Sequence, residues 1–296
     1  MSGLAMFAHL LLDRFSRAEL PRVPEPALVM RDPEQVEAFM RAGREDGILA
    51  FTYVFNALQT LPLICPGDRV LDLACGPANQ LAQIARLHPE AEFVGLDASS
   101  TMLHQAHATL ARCRVDNVTL QQGDICRLDA FADASLDAVI STLSLHHLPD
   151  LAALEACFGE IRRVLKPGGG LFLIDFGRFR RRQSQEFFAT DRSALQPPLF
   201  TEDYRNSLRA AFSEAEFRQA MPALGDGAEL RRSWLAPFML ALRSRPRWHP
   251  DRLAVARAEH LIGLLNPAQR KDLEDFARLF HFGGLPLPAG LSISGA

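Results

Sequence analysis

The stretch Val70-Leu-Asp-Leu-Ala-Cys-Gly-Pro-Ala78 decides the fold of this protein. Its apolar first half predicts a short buried strand from Arg69 to Ala74, and its small residues predict a tight turn that enters a helix at Asn79. Small residues in such a turn let a ligand approach the backbone closely. Because ligands of open α/β sheets bind at the carboxyl ends of the strands, we expect a binding site at this turn.

The same alternation of strand and helix continues along the chain. Further strands are predicted at 92–96, 117–121, 136–142 and 170–176, with helices at 79–87, 99–113 and 151–165, and the last two strands within 228–242. Strands that alternate with helices form parallel βαβ units, in which helices cover both faces of the sheet. We therefore predict an α/β fold with a doubly wound, mostly parallel sheet of seven strands.

Helical patterns flank the predicted sheet at both ends. They divide the chain into a helical N-terminal cap at 1–63, a core at 64–245 and a C-terminal helical extension with a tail at 246–296. Asp32-Pro33 and Pro250-Asp251 have the form of helix N-terminal caps. Pro21, Pro24 and Pro26 predict an extended linker, and single helices are predicted at 204–221 and 249–282.

Composition restricts the class of partner. The 296 residues carry a formal net charge of -3, 23% are charged and 48% are hydrophobic, as in a soluble globular protein. Without a basic excess there is no reason to expect nucleic acid, and no stretch reaches the ~18 apolar residues of a membrane span. The five cysteines show neither metal-ligand spacing nor a disulfide framework, which predicts a cytoplasmic location. No trio of carboxylates typical of a magnesium site is apparent, so no metal is predicted.

Three carboxylates stand at or just after the first three predicted strands. Asp72 lies in the first strand, Asp97 follows the second, and Asp124 follows the third in Gly123-Asp-Ile125. A carboxylate after the second strand can accept both hydroxyls of a ribose, and one after the third can accept an adenine amino group while Ile125 packs on the ring. The three positions together predict a ligand that contains adenosine.

The first turn discriminates between adenosine-containing cofactors. A dinucleotide fold needs G-x-G-x-x-G so that a pyrophosphate can rest on the helix N-terminus, and the matching positions here are Ala74, Gly76 and Asn79. Asp72 also places an acid beside the turn, which suits a cationic amine better than phosphates. This argues for S-adenosylmethionine (SAM) and against an NAD(P)-dependent oxidoreductase.

Five motifs across roughly residues 64–180 resemble those of the class I SAM-dependent methyltransferases, in the same order and spacing. They are VLDLACGPA, FVGLDASSTML, QQGDI, SLDAVISTLSLHHLPD and EIRRVLKPGGGLFLIDF. The resemblance implies a Rossmann-like methyltransferase fold and SAM as cofactor. This chain departs from the family at Ala74 and Ala78, where glycine is usual, and it resembles the family less before residue 60 and after 245.

The resemblance also assigns residues. The residues that it implies for cofactor binding are Tyr53, Asp72, Ala74, Cys75, Gly76, Asp97, Ala98, Met102, Gly123, Asp124, Ile125, Ser141 and Thr142. For Tyr53 a plain core role is an equal alternative. His146 and His147 follow the fourth strand, where the family places the transferred methyl group, and an imidazole that titrates near pH ~6.5 suits proton removal from an acceptor. Because adjacent residues point different ways, we expect at most one of them to act, with His146 preferred, and a structural role for both is the alternative.

The predicted reaction is an in-line transfer of the SAM methyl group to a small, partly apolar acceptor, which leaves S-adenosylhomocysteine. A SAM-binding protein that does not methylate, such as a cyclase, a decarboxylase or a regulatory module, would use the same pocket. The predicted partner is a small-molecule acceptor, with neither nucleic acid nor membrane, and the helical ends could build a homodimer as readily as a lid over the site. Six apolar side chains are candidates for the acceptor pocket or for ordinary core: Phe187, Phe188, Phe200, Trp234, Phe238 and Met239.

Overall fold

The computed structural model describes residues 3–17, 19–26, 32–43 and 47–293. Within these ranges a seven-stranded sheet forms the centre of the molecule. Its strands are β1 (Arg69–Leu73), β2 (Glu92–Asp97), β3 (Val118–Gln122), β4 (Leu136–Thr142), β5 (Leu165–Phe176), β6 (Ala228–Arg232) and β7 (Met239–Ser244). The order across the sheet is β3-β2-β1-β4-β5-β7-β6, parallel from β3 to β5 and antiparallel where β7 joins β5 and β6. The predicted doubly wound sheet is confirmed, including its last two strands.

Helices lie on both faces of this sheet and at its ends. They are α1 (Gly3–Arg14), α2 (Pro33–Ala42), α3 (Ala50–Thr60), α4 (Asn79–Leu87), α5 (Ser100–Cys113), α6 (Leu151–Val164), α7 (Arg182–Thr190), α8 (Pro198–Ala210), α9 (Glu214–Leu224), α10 (Arg252–Gly263) and α11 (Pro267–Phe282). The predicted caps are present, because the Asp32 carboxylate accepts from the backbone of Glu34 and Gln35, and that of Asp251 accepts from Ala254. None of the helices in the described ranges is long and apolar enough to cross a membrane.

Two helix predictions were wrong in their boundaries, and one helix was not predicted. The segment predicted as one helix at 204–221 is α8 and α9, because Ser213 and Glu216 form a reciprocal capping box that starts a new helix. The segment at 249–282 is likewise split into α10 and α11 by a capping box between Asn266 and Gln269. Helix α7 was not predicted at all, since its sequence is mostly polar.

Apolar side chains pack on the two faces of the sheet as two large clusters. The first cluster joins Leu10 of α1 and Phe55 of α3 to strand residues and to Phe280 of α11, so the terminal helices are continuous with the core. The Phe55 ring stacks on Phe280 at 4.9 Å between centroids, and truncating such a buried ring costs about 3–5 kcal/mol. The domain limits at 63 and 245 remain predictions.

The predicted linker at 21–26 is part of an ordered segment, residues 19–26, which we call the N-terminal strap. Arg22 holds it in place, because its guanidinium donates to the carbonyls of His146, Leu148, Pro149 and Ala210 at 2.5–2.9 Å. The same guanidinium lies 4.0 Å from the centroid of the Phe212 ring. The strap therefore lies against the loop that follows β4.

Candidate active site

A cavity of about 500 Å³ opens at the carboxyl ends of the strands, where β1 and β4 lie side by side and the chain winds away to both sides. Its volume falls in the range of small-molecule sites, about 300–1,000 Å³. The predicted site residues in its wall are Tyr53, Ala74, Cys75, Gly76, Asp97, Ala98, Met102, Gly123, Asp124, Ile125, Thr142, His146 and His147. The structure therefore brings together residues that the sequence had placed in four separate motifs.

The turn after β1 forms one side of the cavity through its backbone. Ala74, Gly76 and Ala78 have φ angles of 55°, 55° and 59°, in the left-handed region that favours glycine. This explains why glycine suits positions 74 and 78, and why alanine is tolerated at some strain. A Cβ built on Gly76 would have no heavy atom within 4 Å, so the turn leaves open space above it.

Asp97 is fixed at the tip of β2. Its two oxygens accept from the backbone of Gly76 and Ser99, each at 2.8 Å, and these bonds leave further lone pairs free on the carboxylate. Burial raises the pKa of Asp97, while the two backbone hydrogen bonds act in the opposite direction. The side chain is therefore oriented before any ligand binds.

Asp124 takes the corresponding place after β3. Its Oδ1 atom accepts from the backbone of Cys126 at 2.8 Å, and Gly123 and Ile125 line the cavity beside it. Asp97 and Asp124 thus line the same cavity from two neighbouring strands, as the adenosine interpretation requires.

Asp72 and Ser141 are the two predicted cofactor residues that do not line this cavity. Asp72 is only 2% exposed, and its burial, together with the charge of Asp97, raises its pKa well above the usual range. The charge of Asp72 also acts on Tyr53, whose pKa is raised mainly by burial. The Ser141 hydroxyl is fully buried and donates to the carbonyl of Leu73, so its place is between β1 and β4, beneath the site.

His146 is held by a buried carboxylate that the sequence analysis did not assign. Its Nδ1 atom lies 2.7 Å from Oδ1 of Asp175, whose other oxygen accepts from the His146 backbone at 2.8 Å. Both side chains are at most 2% exposed. Burial lowers the pKa of His146, but the Asp175 charge and hydrogen bond, with the charges of Glu25 and Asp203, outweigh it and raise the pKa above the ordinary value.

This contact selects one histidine tautomer. With the proton on Nδ1 donated to Asp175, the Nε2 atom of His146 is an acceptor, and it has no hydrogen-bond partner among the described residues. A charged residue inside the apolar strand Leu171-Phe-Leu-Ile-Asp-Phe176 was the signal in the sequence, since buried aspartates are rare unless paired.

His147 does not point away from its neighbour, contrary to expectation. Both belong to a short 3₁₀ turn, Leu145–His147, and the two rings lie 4.3 Å apart between centroids. Burial and the charge of His146 lower the pKa of His147 well below its usual value, so this ring is neutral. Its Nδ1 atom is buried and also lacks a partner among the described residues.

Two further carboxylates flank the histidines and were missed by the sequence analysis. Glu25 comes from the strap, where the Ser207 hydroxyl donates to it at 3.0 Å, and Asp203 comes from α8. Burial, with the charge of Glu25 next in size, raises the pKa of Asp203 to about 6, and burial also raises the pKa of Glu25. Nothing local in the sequence marks either residue, because each lies far along the chain from the histidines.

An apolar recess of about 100 Å³ adjoins the main cavity and shares part of its wall. The shared residues are Leu49, Leu143, Phe176, Phe200 and Tyr204. Of the apolar candidates named from the sequence, Phe200 lines both spaces, and Phe188 and Met239 line the recess. Trp234 instead packs on Phe282 at 5.3 Å between centroids.

Comparison with known proteins agrees with this site. The profile of the family described as "Methyltransferase domain" matches residues 70–169. Trans-aconitate 2-methyltransferase of Deinococcus radiodurans is 39% identical over 38% of this chain and 40% of its own length, and demethylmenaquinone methyltransferase of Symbiobacterium thermophilum is 34% identical over 39% and 47%. The chain thus matches less than half the length of either relative.

A solved structure of a SAM-dependent methyltransferase from Aquifex aeolicus shares the fold, with a TM-score of 0.51 and 17% identity over 73% of this chain and 98% of that chain. Residues 70–169 are thus similar in sequence to the methyltransferase-domain family, and the chain shares the fold of a SAM-dependent methyltransferase. SAM is the cofactor of that family. The cavity fits SAM in volume, in the open backbone turn at Gly76 and in the carboxylates Asp97 and Asp124.

Proposed function

We propose that this protein transfers the methyl group of SAM to a small, partly apolar acceptor with a proton to lose, such as a hydroxyl compound. The observation that carries the proposal is a single cavity with Asp97 and Asp124 in one part of its wall and His146 in another. An acceptor beside His146 and a cofactor beside Asp97 would therefore occupy the same enclosed space.

The cofactor half of the cavity comprises the turn after β1 together with Asp97, Asp124 and Met102. In this proposal Asp97 accepts from the ribose hydroxyls, and Asp124 accepts from the adenine amino group while Ile125 packs on the ring. The buried charge of Asp72 and the Tyr53 hydroxyl stabilise the amino-acid end. When bound, SAM supplies a methyl group on a sulfonium, which leaves as the neutral thioether S-adenosylhomocysteine.

The acceptor half comprises His146, Asp175 and the apolar wall. Asp175 fixes the tautomer of His146, so that Nε2 faces the acceptor and activates its protic group. The enclosed walls align the acceptor, and such alignment supplies on the order of 7–11 kcal/mol of barrier reduction in favourable cases. The adjoining recess would accommodate the apolar part of the acceptor.

Assembly and location extend this proposal. Helix α1 leaves Leu4 80% exposed and Phe15, just after its end, 78% exposed, which fits a homodimer through this helix. A cytoplasmic protein with no nucleic-acid partner fits the small-molecule reaction. The division into an N-terminal cap at 1–63, a core at 64–245 and an extension at 246–296 assigns acceptor choice to the terminal segments. Light scattering during size exclusion would report twice the chain mass for a dimer, and the chain mass would refute it.

The test is incubation of the purified protein with methyl-labelled SAM and a small-molecule extract, followed by mass spectrometry. A labelled product together with S-adenosylhomocysteine is the expected result. His146→Gln should remove product formation while SAM binding stays intact, whereas His107→Gln, on the exposed face of α5, should change neither. Bound SAM with no label transferred across diverse extracts would overturn the proposal and favour a SAM-binding protein that does not methylate.

A further inference from the structure

Three potential metal ligands meet at the acceptor end of the cavity. Glu25, His146 and His147 each offer one ligand atom, and these atoms all lie within 4.8 Å of one another. In a tetrahedral Zn²⁺ site with bonds of about 2.1 Å the ligand atoms lie about 3.4 Å apart, so the side chains of this cluster would have to move closer by up to about 1.4 Å to share an ion.

One ring nitrogen of each histidine in this cluster takes no part in the hydrogen bonding of the described part of the fold. The Nε2 atom of His146 and the Nδ1 atom of His147 are both buried and both lack a hydrogen-bond partner among the described residues. Buried polar atoms in native proteins are nearly always paired, and an unpaired one calls for a ligand or a water. Two such atoms in adjacent rings, beside a carboxylate, form the donor set of a His₂Glu site.

The surroundings of the cluster match those of known metal ligands. A histidine that binds a metal usually donates its other ring N–H to a carboxylate, and Asp175 takes this place at 2.7 Å from Nδ1 of His146. The carboxylate of Glu25 is oriented by the Ser207 hydroxyl at 3.0 Å. Arg22, three residues before Glu25, is bound to the carbonyls of His146 and Leu148 and so holds the strap against the histidines.

The charges around the cluster also suit a cation. Asp203 lines the same cavity and interacts electrostatically with both Glu25 and His146. The two carboxylates would offset the charge of one divalent ion, and the two imidazoles would bind it in their neutral form. Imidazole nitrogen with carboxylate oxygen is a donor set that suits Zn²⁺ among the divalent metals.

We propose that Glu25, His146 and His147 bind one Zn²⁺ ion, which leaves an open position toward the cavity for an oxygen of the acceptor. Bound there, a hydroxyl acceptor would be a stronger acid, since a Zn²⁺ ion lowers the pKa of a bound water to about 7. In the zinc-bound protein the ion would therefore replace Nε2 of His146 as the group that activates the acceptor. The catalytic role rests on the proposed function, but the binding of the ion does not. The sequence analysis predicted no metal, and the structure brings together Glu25 and two histidines that are separated by some 120 positions in the sequence.

Zinc binding can be tested on the full chain, purified without a histidine tag and treated with a chelator. Titration with Zn²⁺ should show one tight site per chain, and Co²⁺ in its place should give the visible absorption of a site with nitrogen and oxygen ligands. Glu25→Gln and His147→Gln should each weaken Zn²⁺ binding by more than tenfold, and Asp175→Asn by about 10–100-fold. His107→Gln serves as the matched control and should bind as the unaltered chain does.

The outcomes separate the two proposals. Circular dichroism and SAM affinity establish that each variant is folded. If the chelated protein binds SAM but takes up neither Zn²⁺ nor Co²⁺ at the tight site, or if the control loses as much affinity as Glu25→Gln, the metal proposal is overturned. In that case methyl transfer by metal-free protein would leave His146 as the direct base, so the proposed function would stand. Absence of methyl transfer with Zn²⁺ tightly bound would instead contradict the proposed function alone.

Discussion

The two halves of the cavity are built in different ways. The cofactor half takes Ala74, Gly76, Asp97 and Asp124 from consecutive strand ends, where each residue lies inside a local motif. The acceptor half takes His146 from the loop after β4 and Asp203 from α8, and its histidines lie beside Glu25 of the strap and Asp175 of β5. A local motif can be recognised in the sequence, whereas a cluster that only folding assembles leaves no local pattern. The difference predicts that substitutions in the two halves affect separate steps.

The largest effect is expected from Asp97→Ala in the cofactor half. It removes the carboxylate that we propose accepts the two ribose hydroxyls, and hydrogen bonds to a charged group are worth about 1.5–3 kcal/mol each. SAM affinity, measured by calorimetry, should therefore fall by at least about 100-fold. Zn²⁺ uptake by the same variant is the control for the acceptor half. SAM affinity close to that of the unaltered chain would break the assignment of Asp97.

The next largest effect is expected from Asp175→Asn, which should change the pKa of His146 in the acceptor half without changing the cofactor half. Asp175 raises the pKa of His146 against the effect of burial, so the imidazolium form persists above its usual range. This pair therefore adds stability that is full below the unfolded pKa and is lost as the pH rises through the folded pKa. In metal-free Asp175→Asn protein, NMR titration should show a lower His146 pKa, and SAM affinity should be unchanged. An unchanged His146 pKa would contradict the role given to Asp175.

A smaller effect is expected at Asp72, where substitution should raise the stability of the fold but lower the affinity for SAM. Burial raises its pKa well above the usual range, so the folded state is increasingly penalised as the pH rises above the unfolded value of ~3.9. Asp72→Asn should raise the melting temperature by a few degrees at pH 8, with little change at pH 5. It should also weaken SAM binding, because a carboxylate that attracts the cationic amine of the cofactor has been removed.

This interpretation requires that the melting temperature of Asp72→Asn respond differently at pH 8 and at pH 5. Ser141→Ala is the comparison, since its hydroxyl also lies beneath the cavity but bears no charge. It should lower stability without the pH dependence seen at Asp72. A melting temperature that falls equally at both pH values in Asp72→Asn would show that the carboxyl is a net stabilising group.

The smallest effect is expected at Ala74, whose φ of 55° strains any residue with a Cβ. Ala74→Gly should stabilise the protein by up to about 1 kcal/mol in chemical unfolding, because relief of the left-handed strain exceeds the added backbone entropy of the unfolded state. SAM affinity should change by less than about threefold. A loss of stability would mean that the Ala74 methyl group makes packing contacts worth more than the strain.

The sequence alone was enough to predict the sheet and the cofactor half. Hydrophobic periodicity is local, and the first three strands carry the proposed cofactor-binding carboxylates within or just after them, so Asp97 and Asp124 could be placed before any tertiary contact was known. The helix boundaries at Ser213 and Asn266 were also encoded locally, in capping boxes that the periodicity analysis passed over.

Apart from the two histidines, which their motif already marked, only the tertiary structure decided the acceptor half. Asp72 and Ser141 were predicted in the cavity wall, but the pleat of β1 and β4 places them beneath it. The pairing of Asp175 with His146 depends on β4 lying beside β5, and the approach of Glu25 depends on Arg22 binding carbonyls more than 120 residues away along the chain. Such contacts form between elements distant in sequence, and chain geometry rather than residue pattern determines which of them meet.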